Sequence, residues 1–440
     1  MATRILNFLI PELISGVQFS KGPYFADQGD FATAGAANIN YVNALARPLI
    51  RVGGGGSGFG RALAAVSPSI GRGQLLAAIE VQHNDGPWQR PENLKKVNGI
   101  VRFSQGDALN GFSITGMAYR GRWDSSDQIP ARAVDEGVID RFGTIDSTDG
   151  GDSHRYSGSF EWQRTRNNAS TKLTAFGLGY DLNLFSNFTY FLDDPNNGDQ
   201  FRQADHRVVS GARLTHRRLG RWGGHAVQNT LGAQLRHDDI GNVGLYHTVA
   251  RRTLNTIRED SVLQTSLAGF AQNETEWAPW LGTLAGIRVD GYRFGVDASN
   301  PANSGTDYAG LVSPKGGVVL GPWKRTEVYA NAGLGFHSND ARGATITVDP
   351  ESGDPVDRVT PLGRARGAEI GIRSVRIPHL QTSVAVWSLS LDSELIFIGD
   401  AGTTEAGRSS HRYGVEWTNY YAPRRWLTFD ADVSISRALH

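Results

Sequence analysis

The sequence of 440 residues contains no cysteine. Disulfide bonds, thiolate metal sites and cysteine nucleophiles are therefore excluded. The sequence also contains no run of about 18 or more apolar residues, so it predicts no transmembrane helix. HExxH and GxSxG patterns are absent, and no paired carboxylates stand out. These absences favour a protein that is not an enzyme and that holds no cofactor or metal.

An excess of charge of one sign is also lacking, because 44 basic residues balance 44 acidic residues. This balance gives no signal for nucleic-acid binding. Lysine is scarce, with six residues, so arginine carries most of the positive charge. Guanidinium groups suit anionic head groups and phosphates, because they bind them through paired hydrogen bonds. The codon bias of a GC-rich genome explains the same arginine excess at least as well.

Glycine is abundant, with 54 residues, and it is accompanied by 10 Trp, 13 Tyr and 19 Phe. Only 39% of the residues are hydrophobic. A membrane β-barrel needs apolar residues only at every second position, and it concentrates aromatic residues at the two membrane interfaces. The composition therefore fits a transmembrane barrel.

The main repeating signal has a period of two residues. One face is apolar and the other is polar or small in the segments 74–84, 227–236, 327–337 and 427–436. Helical spacing would scatter these apolar residues around a cylinder. The predicted strands are about 9 to 17 residues long, which suits tilted strands that cross a bilayer better than soluble strands of ~5–6 residues.

The predicted links between strands alternate between short and long. Short periplasmic turns and long outer loops are typical of outer-membrane barrels, whereas a soluble sandwich has no reason for this alternation. Short links are predicted near 67–72, 106–110, 165–169, 220–224, 276–279, 321–324, 377–379 and 422–425. Long links are predicted near 85–96, 123–152, 184–205, 238–256, 297–309, 338–361 and 400–407.

These patterns predict an all-β protein, a transmembrane antiparallel β-barrel with about 17 strands. The first strand is expected near 47–54 and the last near 426–437. A barrel must close, because unpaired backbone groups that face lipid cost several kcal/mol each. We therefore expect the chain to be incomplete at its C-terminus, or to pair with something outside this sequence.

The segment 21–39 reads KGPYFADQGDFATAGAANI. It resembles the closing stretch of the plug domain in TonB-dependent outer-membrane receptors, where a KGP-type turn and a GDxAxAGxxN strand precede the first barrel strand. Its glycines at positions 22, 29 and 35 allow a tight chain to pack within a barrel. Later segments resemble loop and strand motifs of one proteobacterial branch of the family: 85–88, 127–134, 184–201, 333–343 and 394–405.

The resemblance implies a barrel of 22 strands with a plug in its lumen, of which this chain holds about 17 strands and the C-terminal remnant of the plug. We expect residues 1–45 to be the end of the plug domain and residues 46–440 to be a partial barrel. Residues 1–20 show no signal-peptide pattern, and neither a TonB box nor the rest of the plug is recognisable. The chain is therefore expected to be truncated and inactive on its own.

The resemblance further implies the function of the complete protein. A scarce ligand binds the outer loops and the plug apex, and the TonB complex supplies the energy to import it across the bacterial outer membrane. The ligand could resemble a siderophore, haem, a cobalamin, a sugar or a peptide. Outer-membrane lipid and lipopolysaccharide are the expected surroundings of a monomer. A passive porin-like channel or an adhesin is the alternative, and a hydrolase with a Ser/His site on the barrel wall stays open, because it needs no local motif.

Three local motifs have simpler structural explanations. The glycine-rich stretch 53–60 is followed by another alternating strand rather than a helix, so it predicts a hairpin loop and not a nucleotide site. The segment 193–199 has Pro195 where a calcium loop needs a ligand, so it predicts an Asx-turn loop. The histidines at 206, 216, 225 and 237 show no metal-binding spacing, and lumen-facing polar positions explain them.

Aromatic residues in or beside the predicted outer loops are the best ligand candidates, because exposed aromatic rings bind flat or apolar ligands at low entropic cost. Packing within the loops or an interfacial girdle is the competing explanation. The candidate ligand-binding residues are Trp88, Trp123, Phe188, Tyr190 and Phe191, with Phe185 beside them. The plug-end motif adds Lys21, Gly22, Pro23, Gly29, Asp30 and Gly35.

Overall fold

The structure is a computed structural model that describes residues 7–350, 352–398 and 403–439. Two short helices, α1 (Ala131–Asp135) and α2 (Ala341–Thr345), and two 3₁₀ turns (Pro11–Leu13 and Pro301–Asn303) accompany the strands. The strands are β1 (Ile14–Lys21), β2 (Gly35–Tyr41), β3 (Leu49–Gly54), β4 (Gly60–Val66), β5 (Ser69–Ile70), β6 (Gly73–Asn84), β7 (Leu94–Gly106), β8 (Asn110–Asp124), β9 (Gly150–Arg166), β10 (Ala169–Ser186), β11 (Phe201–Trp222), β12 (His225–Val249), β13 (Arg252–Ala278), β14 (Leu281–Ala298), β15 (Gly305–Trp323), β16 (Thr326–Ser338), β17 (Leu362–Ser374), β18 (Leu380–Leu391), β19 (Leu395–Ile398), β20 (Thr403–Ala406), β21 (Ser410–Arg424) and β22 (Leu427–Leu439).

Within the described residues, no helix is both long and apolar enough to span a membrane.

The predicted all-β antiparallel architecture is confirmed. Eighteen strands form one large sheet, in which strands pair in the order of the chain except that β18 pairs with β21, because β19 and β20 form a separate hairpin. The short strand β5 follows β4 after Pro68, and both pair with β6. Because β4 and β5 together cross the wall once, the wall contains about 17 crossing strands. This is the number of strands that the sequence predicted.

The strand order of the large sheet closes into a ring, in which β22 lies next to β3. All other neighbouring strands of the wall pair in antiparallel fashion. Because the number of crossing strands is odd, the first strand, β3, and the last strand, β22, run in the same direction. Their side chains are unusually open, with Val52 82% and Ile435 71% exposed.

Six strands, β10–β15, are longer than the predicted 9 to 17 residues, and β11, β12 and β13 are the longest with 22, 25 and 27 residues. The predicted long loop at 238–256 is wrong, because β12 and β13 stay paired up to Val249 and Arg252, and only Ala250 and Arg251 form the turn. This hairpin projects beyond the apolar band of the barrel. Outside the apolar band a strand does not need an apolar residue at every second position. The segment therefore lacked the period-two pattern, and the sequence predicted a loop.

The core of the protein lies inside the barrel. Ile79, Val101 and Ile114 are about half exposed on the outer surface, where lipid covers an outer-membrane barrel. Inside, one cluster joins Ile10 and Leu13 to Leu63, Leu76 and Ile100 of the wall. A second cluster, at the end with the long loops, contains Tyr292, Phe294, Phe336, Ala341 and Leu362.

The N-terminal segment does not join the wall. Its strands β1 and β2 form a two-stranded antiparallel sheet of their own, with Lys21 opposite Gly35. The predicted first barrel strand near 47–54 agrees with β3. The assignment of residues 1–45 as the end of a plug domain stays a prediction.

Candidate functional site in the barrel lumen

Residues 22–34, called the lumen segment below, connect β1 to β2 and lie against the inner wall of the barrel. Gly22 has φ +69° and Gly35 has φ +149°, values that side chains rarely adopt. A Cβ atom on Gly35 would come within 2.5 Å of the Ser20 carbonyl oxygen. Glycine at these two positions therefore lets the chain reverse direction tightly at both ends of the lumen segment.

Pro23 fits onto a patch of glycines in the wall. A Cβ atom on Gly333 would collide with the Pro23 carbonyl oxygen, and one on Gly335 or Gly367 would come within 2.9 and 2.7 Å of its ring. Lys315 is 6% exposed, and its Nζ donates to the carbonyl oxygens of Pro23 (2.8 Å) and Leu334 (2.9 Å). The predicted KGP motif is thus fixed to β15–β17 by steric fit and by a buried charge.

The middle of the lumen segment is held by β13, β14 and the end of β16. The backbone N–H of Ala26 donates to Oε1 of Gln272 (3.0 Å). Gly29 lies against the Arg288 guanidinium, which would be 2.5 Å from a Cβ atom at that position. Asp30 accepts hydrogen bonds from the backbone N–H and the hydroxyl of Ser338 (2.7 and 2.6 Å). Gly29 and Asp30 of the predicted motif therefore both contact the wall.

On the side of β11 and β12 the contacts are polar and partly solvated. Asp27 forms an ion pair with Arg213 at 2.6 Å, and the two side chains are 35% and 34% exposed. Gln234 donates to the Asp27 carbonyl oxygen at 3.3 Å and accepts from Arg288 at 2.7 Å. Across the barrel, Lys21 forms an ion pair with Glu416 of β21.

The chain before β1 is anchored to a different part of the wall. Glu12 binds the Arg61 guanidinium through both oxygens, at 2.6 and 2.8 Å, and Arg51 at 3.2 Å. Glu80, which is 1% exposed, pairs with Arg61 and with Lys96. Since buried charges are costly unless they are paired, this network ties the segment to β4, β6 and β7.

Two cavities lie beside the lumen segment. The larger one, of about 1690 Å³, extends toward the end with the short turns and includes Gln228, Glu274 and Arg373 in its lining. The smaller one, of about 310 Å³, lies nearer the long loops, between Asp30 and the wall residues Gln264 and Tyr292. The lumen segment therefore lies between the two cavities.

From these cavities toward the long loops, the wall carries a repeated charge pattern, of which Arg236 and Arg288 line the smaller cavity. On each of the four strands β11–β14, an arginine and an aspartate two residues apart form an ion pair on one strand face. Arg258, Asp260, Arg288 and Asp290 are all less than 10% exposed. The aromatic rings of Tyr292 and Phe294 stack beside them, 5.6 Å apart. This end of the lumen can bind a ligand through both charged and aromatic groups.

The predicted aromatic residues are distributed over the outer loops rather than gathered in one pocket. Trp123 is 5% exposed at the end of β8, and Phe188 packs edge-on against Phe201 at 5.4 Å. Tyr190 donates its hydroxyl hydrogen to the Gln128 carbonyl oxygen. Trp88 packs near Phe142 at 6.3 Å and Phe191 is 57% exposed, and Phe185 lies under Arg251 at 5.5 Å. Their role in ligand binding stays a prediction.

An acidic cluster links two of these loops, the one between β8 and β9 and the one between β10 and β11. Asp149 is 1% exposed, and burial, together with Asp127 and Asp146 nearby, raises its pKa to about 9. Burial also raises the pKa of Asp127. Asn187 donates to Asp127 and Asp146, and Gln200 donates to Asp146 and Asp149. A protonated Asp149 can therefore share its hydrogen with Asp127 and hold the loops together.

The loop at 193–199 contains the expected Asx turns. Asp194 accepts hydrogen bonds from the backbone N–H groups of Asn196 and Asn197, and Asp199 accepts from Leu192 and Asp194. In the described ranges no group of three or more His, Asp or Glu side chains is placed to hold a metal ion.

The expectation that the histidines face the lumen is wrong for at least three of them. His206 lies between Asp205 and Arg207, which form one of the lumen-facing ion pairs, so it points outward. Thr215 and Arg217 line the larger cavity, so His216 between them points to the outer face. Arg236 lines both cavities, so His237 also points outward, where it contacts Thr265 at 2.8 Å. Polar residues are acceptable there because the long strands extend beyond the apolar band.

Sequence reasoning missed the wall residues of the site, among them Arg213, Gln234, Gln272, Arg288, Lys315 and Ser338. A strand pattern shows which residues share a face, but not which distant segment they contact. The sequence held one signal of this site, the recurrence of an arginine and an aspartate two residues apart on neighbouring strands. Residues at this spacing lie on the same face of a strand, so each pair can form an ion pair there.

Comparisons with known proteins agree with this architecture. No protein of curated function matches the sequence. The structure resembles the ferric citrate transporter FecA (TM-score 0.77, 12% identity, 97% of this chain and 65% of that chain), the siderophore receptor PiuA from Acinetobacter baumannii (0.74, 13%, 97% and 69%) and the copper transporter OprC (0.73, 14%, 98% and 70%). This chain thus spans about two thirds of their length.

At such low identity these likenesses show the fold. The sequence itself matches the family model "TonB dependent receptor-like, beta-barrel" over residues 89–437, which is well over half of the chain. This match confirms the resemblance inferred from the plug-end motif and the loops, and it places the protein in the outer membrane of Gram-negative bacteria. The chain belongs to the TonB-dependent receptor family.

Proposed function

We propose that the complete protein is an active-transport receptor that imports a scarce ligand across the outer membrane with energy from the TonB complex. The observation that carries the proposal is the lumen segment, which crosses the barrel interior and contacts β11–β17. A passive pore or an adhesin has no use for such a fixed obstacle. The family consists of transport receptors rather than enzymes.

We further propose that the ligand is a metal chelate of the siderophore or haem type, with a cobalamin or a sugar as the other possibilities. Support comes from the solved neighbours, which are described as a ferric citrate transporter, a siderophore receptor, a ferric yersiniabactin receptor and a copper transporter. The buried arginine–aspartate pairs and the stacked Tyr292 and Phe294 offer matching charged and aromatic surfaces.

A binding panel with the purified protein tests the ligand class. Quenching of the ten tryptophans is recorded while ferric chelates, haem, cobalamin and oligosaccharides are added separately. The proposal predicts saturable binding of one class, at or below micromolar concentration, and no binding of the others. A protein that binds none of the panel and conducts ions steadily in a bilayer would instead be a porin-like channel.

A further inference from the structure

We propose that the outer surface of β9–β11 binds an anionic phospholipid of the periplasmic membrane leaflet, whose phosphate lies among Arg164, Arg166 and Arg218. The proposal uses only the position of the barrel in the outer membrane, so it does not depend on which ligand the receptor imports. The site lies on the outside of the barrel and is therefore unaffected by whatever fills the lumen.

The first observation is that these three arginines share the outer face of the wall. Gln163 of β9 and Arg217 of β11 face the lumen, where they line the larger cavity. Successive side chains of a strand point to opposite faces, so Arg164 and Arg166 of β9 and Arg218 of β11 point outward. All three are exposed.

The second observation is that the strand register brings the three arginines together. Arg166 lies opposite Ala169 of β10, and Ala169 lies opposite Arg218 of β11. Arg166 and Arg218 are therefore two strand spacings apart, or about 10 Å, with only a methyl group between them. Arg164 lies two residues before Arg166 on the same face. Because arginine side chains are long, the three guanidinium groups can reach one phosphate above Ala169 and bind it through paired hydrogen bonds.

The third observation is that charges are sorted between the two faces at this end of the wall. Glu161 and Glu274 line the lumen cavity, whereas outward positions such as Asn229 and Asn273 carry amides, which bond to each other at 2.8 Å. In the described part of the chain, none of the three arginines forms an ion pair with a carboxylate. The outer face of β9–β11 therefore carries a positive charge that an anion can neutralise.

The fourth observation is an apolar row directly beside the arginines. Trp162, two residues before Arg164, lies opposite Phe112 of β8 and Leu173 of β10, and Leu173 lies opposite Leu214 of β11. Leu214 is 47% exposed. Since the short turns face the periplasm, this row lies on the membrane side of the arginines. An anionic head group beside acyl chains matches this arrangement, whereas a free phosphate would leave the apolar row unused.

The test measures binding of phosphatidylglycerol to the full chain in a neutral detergent by native mass spectrometry, with zwitterionic phosphatidylcholine as the comparison lipid. Each arginine near a membrane surface contributes about fivefold to the attraction of an anionic lipid. The variants Arg164→Gln, Arg166→Gln and Arg218→Gln should therefore each weaken binding of phosphatidylglycerol by about fivefold, and the triple variant by roughly 100-fold. The single variants keep the test decisive even where the triple variant folds poorly.

The matched control removes the same charge at the same end of the barrel from three separate turns. The triple variant Arg72→Gln, Lys324→Gln and Arg425→Gln changes exposed residues of the turns before β6, β16 and β22. Its affinity for phosphatidylglycerol should stay within about twofold of the unmodified protein, because no converging set is lost. An equal loss in both triple variants would overturn the proposal, as would equal binding of the two lipids to the unmodified protein.

A competition measurement identifies the source of the phosphate. Excess soluble glycerol phosphate should leave phosphatidylglycerol bound, because it lacks the acyl chains that contact the apolar row. Displacement of the lipid by glycerol phosphate would show a site for free phosphates and would contradict the proposal. Since no imported ligand and no TonB is present, these results are independent of the proposed transport function.

Discussion

Lys315 of β15 donates hydrogen bonds from its ammonium group to the carbonyl oxygen of Pro23, 292 residues earlier in the chain. It is 6% exposed, and its second acceptor is the carbonyl oxygen of Leu334 on the neighbouring strand. The wall and the lumen segment therefore share one buried cation. This contact explains why a KGP-type turn, recognisable in the sequence, occupies a fixed position in the lumen.

The first prediction concerns this cation. Lys315→Met leaves both carbonyl oxygens without their donor, at a cost of about 1–3 kcal/mol for each buried group. Hydrogen exchange of residues 22–34, measured by mass spectrometry, should accelerate while exchange of the wall stays slow. Lys324→Met, in an exposed turn, is the control and should leave exchange unchanged. Equal protection of the lumen segment in both variants would refute the anchoring role.

The second prediction concerns the glycine patch. Gly333→Ala places a methyl group against the Pro23 carbonyl oxygen, so the lumen segment must shift. Overpacking of this kind costs about 1–3 kcal/mol, and we expect faster proteolysis of residues 22–34 in the folded barrel. Gly269→Ala is the matched control, because a Cβ atom there meets nothing within 4 Å. If both variants are cleaved at the same rate, the steric fit does not hold the segment.

The third prediction concerns the acidic cluster in the outer loops. The raised pKa of Asp149, about 9, means that the folded loop binds a proton that the unfolded loop has released above pH ~4. Loop stability should therefore be highest below pH ~4, fall as the pH rises toward 9 and then level off. Protease protection of residues 125–149 as a function of pH measures this fall.

Asp149→Asn should remove most of that pH dependence, because an amide keeps a donor without ionising. Asp135→Asn, at an exposed position of α1, is the control and should keep the dependence of the unmodified protein. Protection that rises with pH in the unmodified protein would show the sign to be wrong.

The fourth prediction separates the aromatic candidates by their burial. Trp123 is 5% exposed, so Trp123→Ala should destabilise the barrel by about 3–5 kcal/mol in urea unfolding. Phe191 is 57% exposed, so Phe191→Ala should keep the stability and, if this residue binds ligand, weaken the affinity found in the binding panel. Unchanged affinity in Phe191→Ala and Trp88→Ala would remove the loop aromatics as ligand contacts.

Much of the fold could be read from the sequence, because a membrane barrel imposes a local rule on every strand. Alternation in 74–84 and 427–436 identified β6 and β22 closely. The rule ends where the lipid ends, so the polar stretch 238–249 of β12 was mistaken for a loop. A two-residue turn at Ala250 and Arg251 carries no glycine, proline or asparagine that would have marked it.

The site was only half predictable for a different reason. Gly22, Gly29, Asp30 and Gly35 were identified because a family motif surrounds them and backbone geometry requires the glycines. Their partners Arg213, Lys315 and Ser338 lie about 190 to 310 residues away in the chain. Strand alternation indicates that such residues face the lumen, but only the closed arrangement of the wall decides which of them reach the lumen segment.

Dependence of ligand uptake on TonB tests the central claim most directly. The complete reading frame is expressed in a host without its own receptors, and accumulation of the radiolabelled ligand from the binding panel is compared in cells with and without a functional TonB complex. The account predicts saturable accumulation that disappears when TonB is lost. Equal accumulation in both cells, rising in proportion to external concentration, would contradict it and show a passive channel.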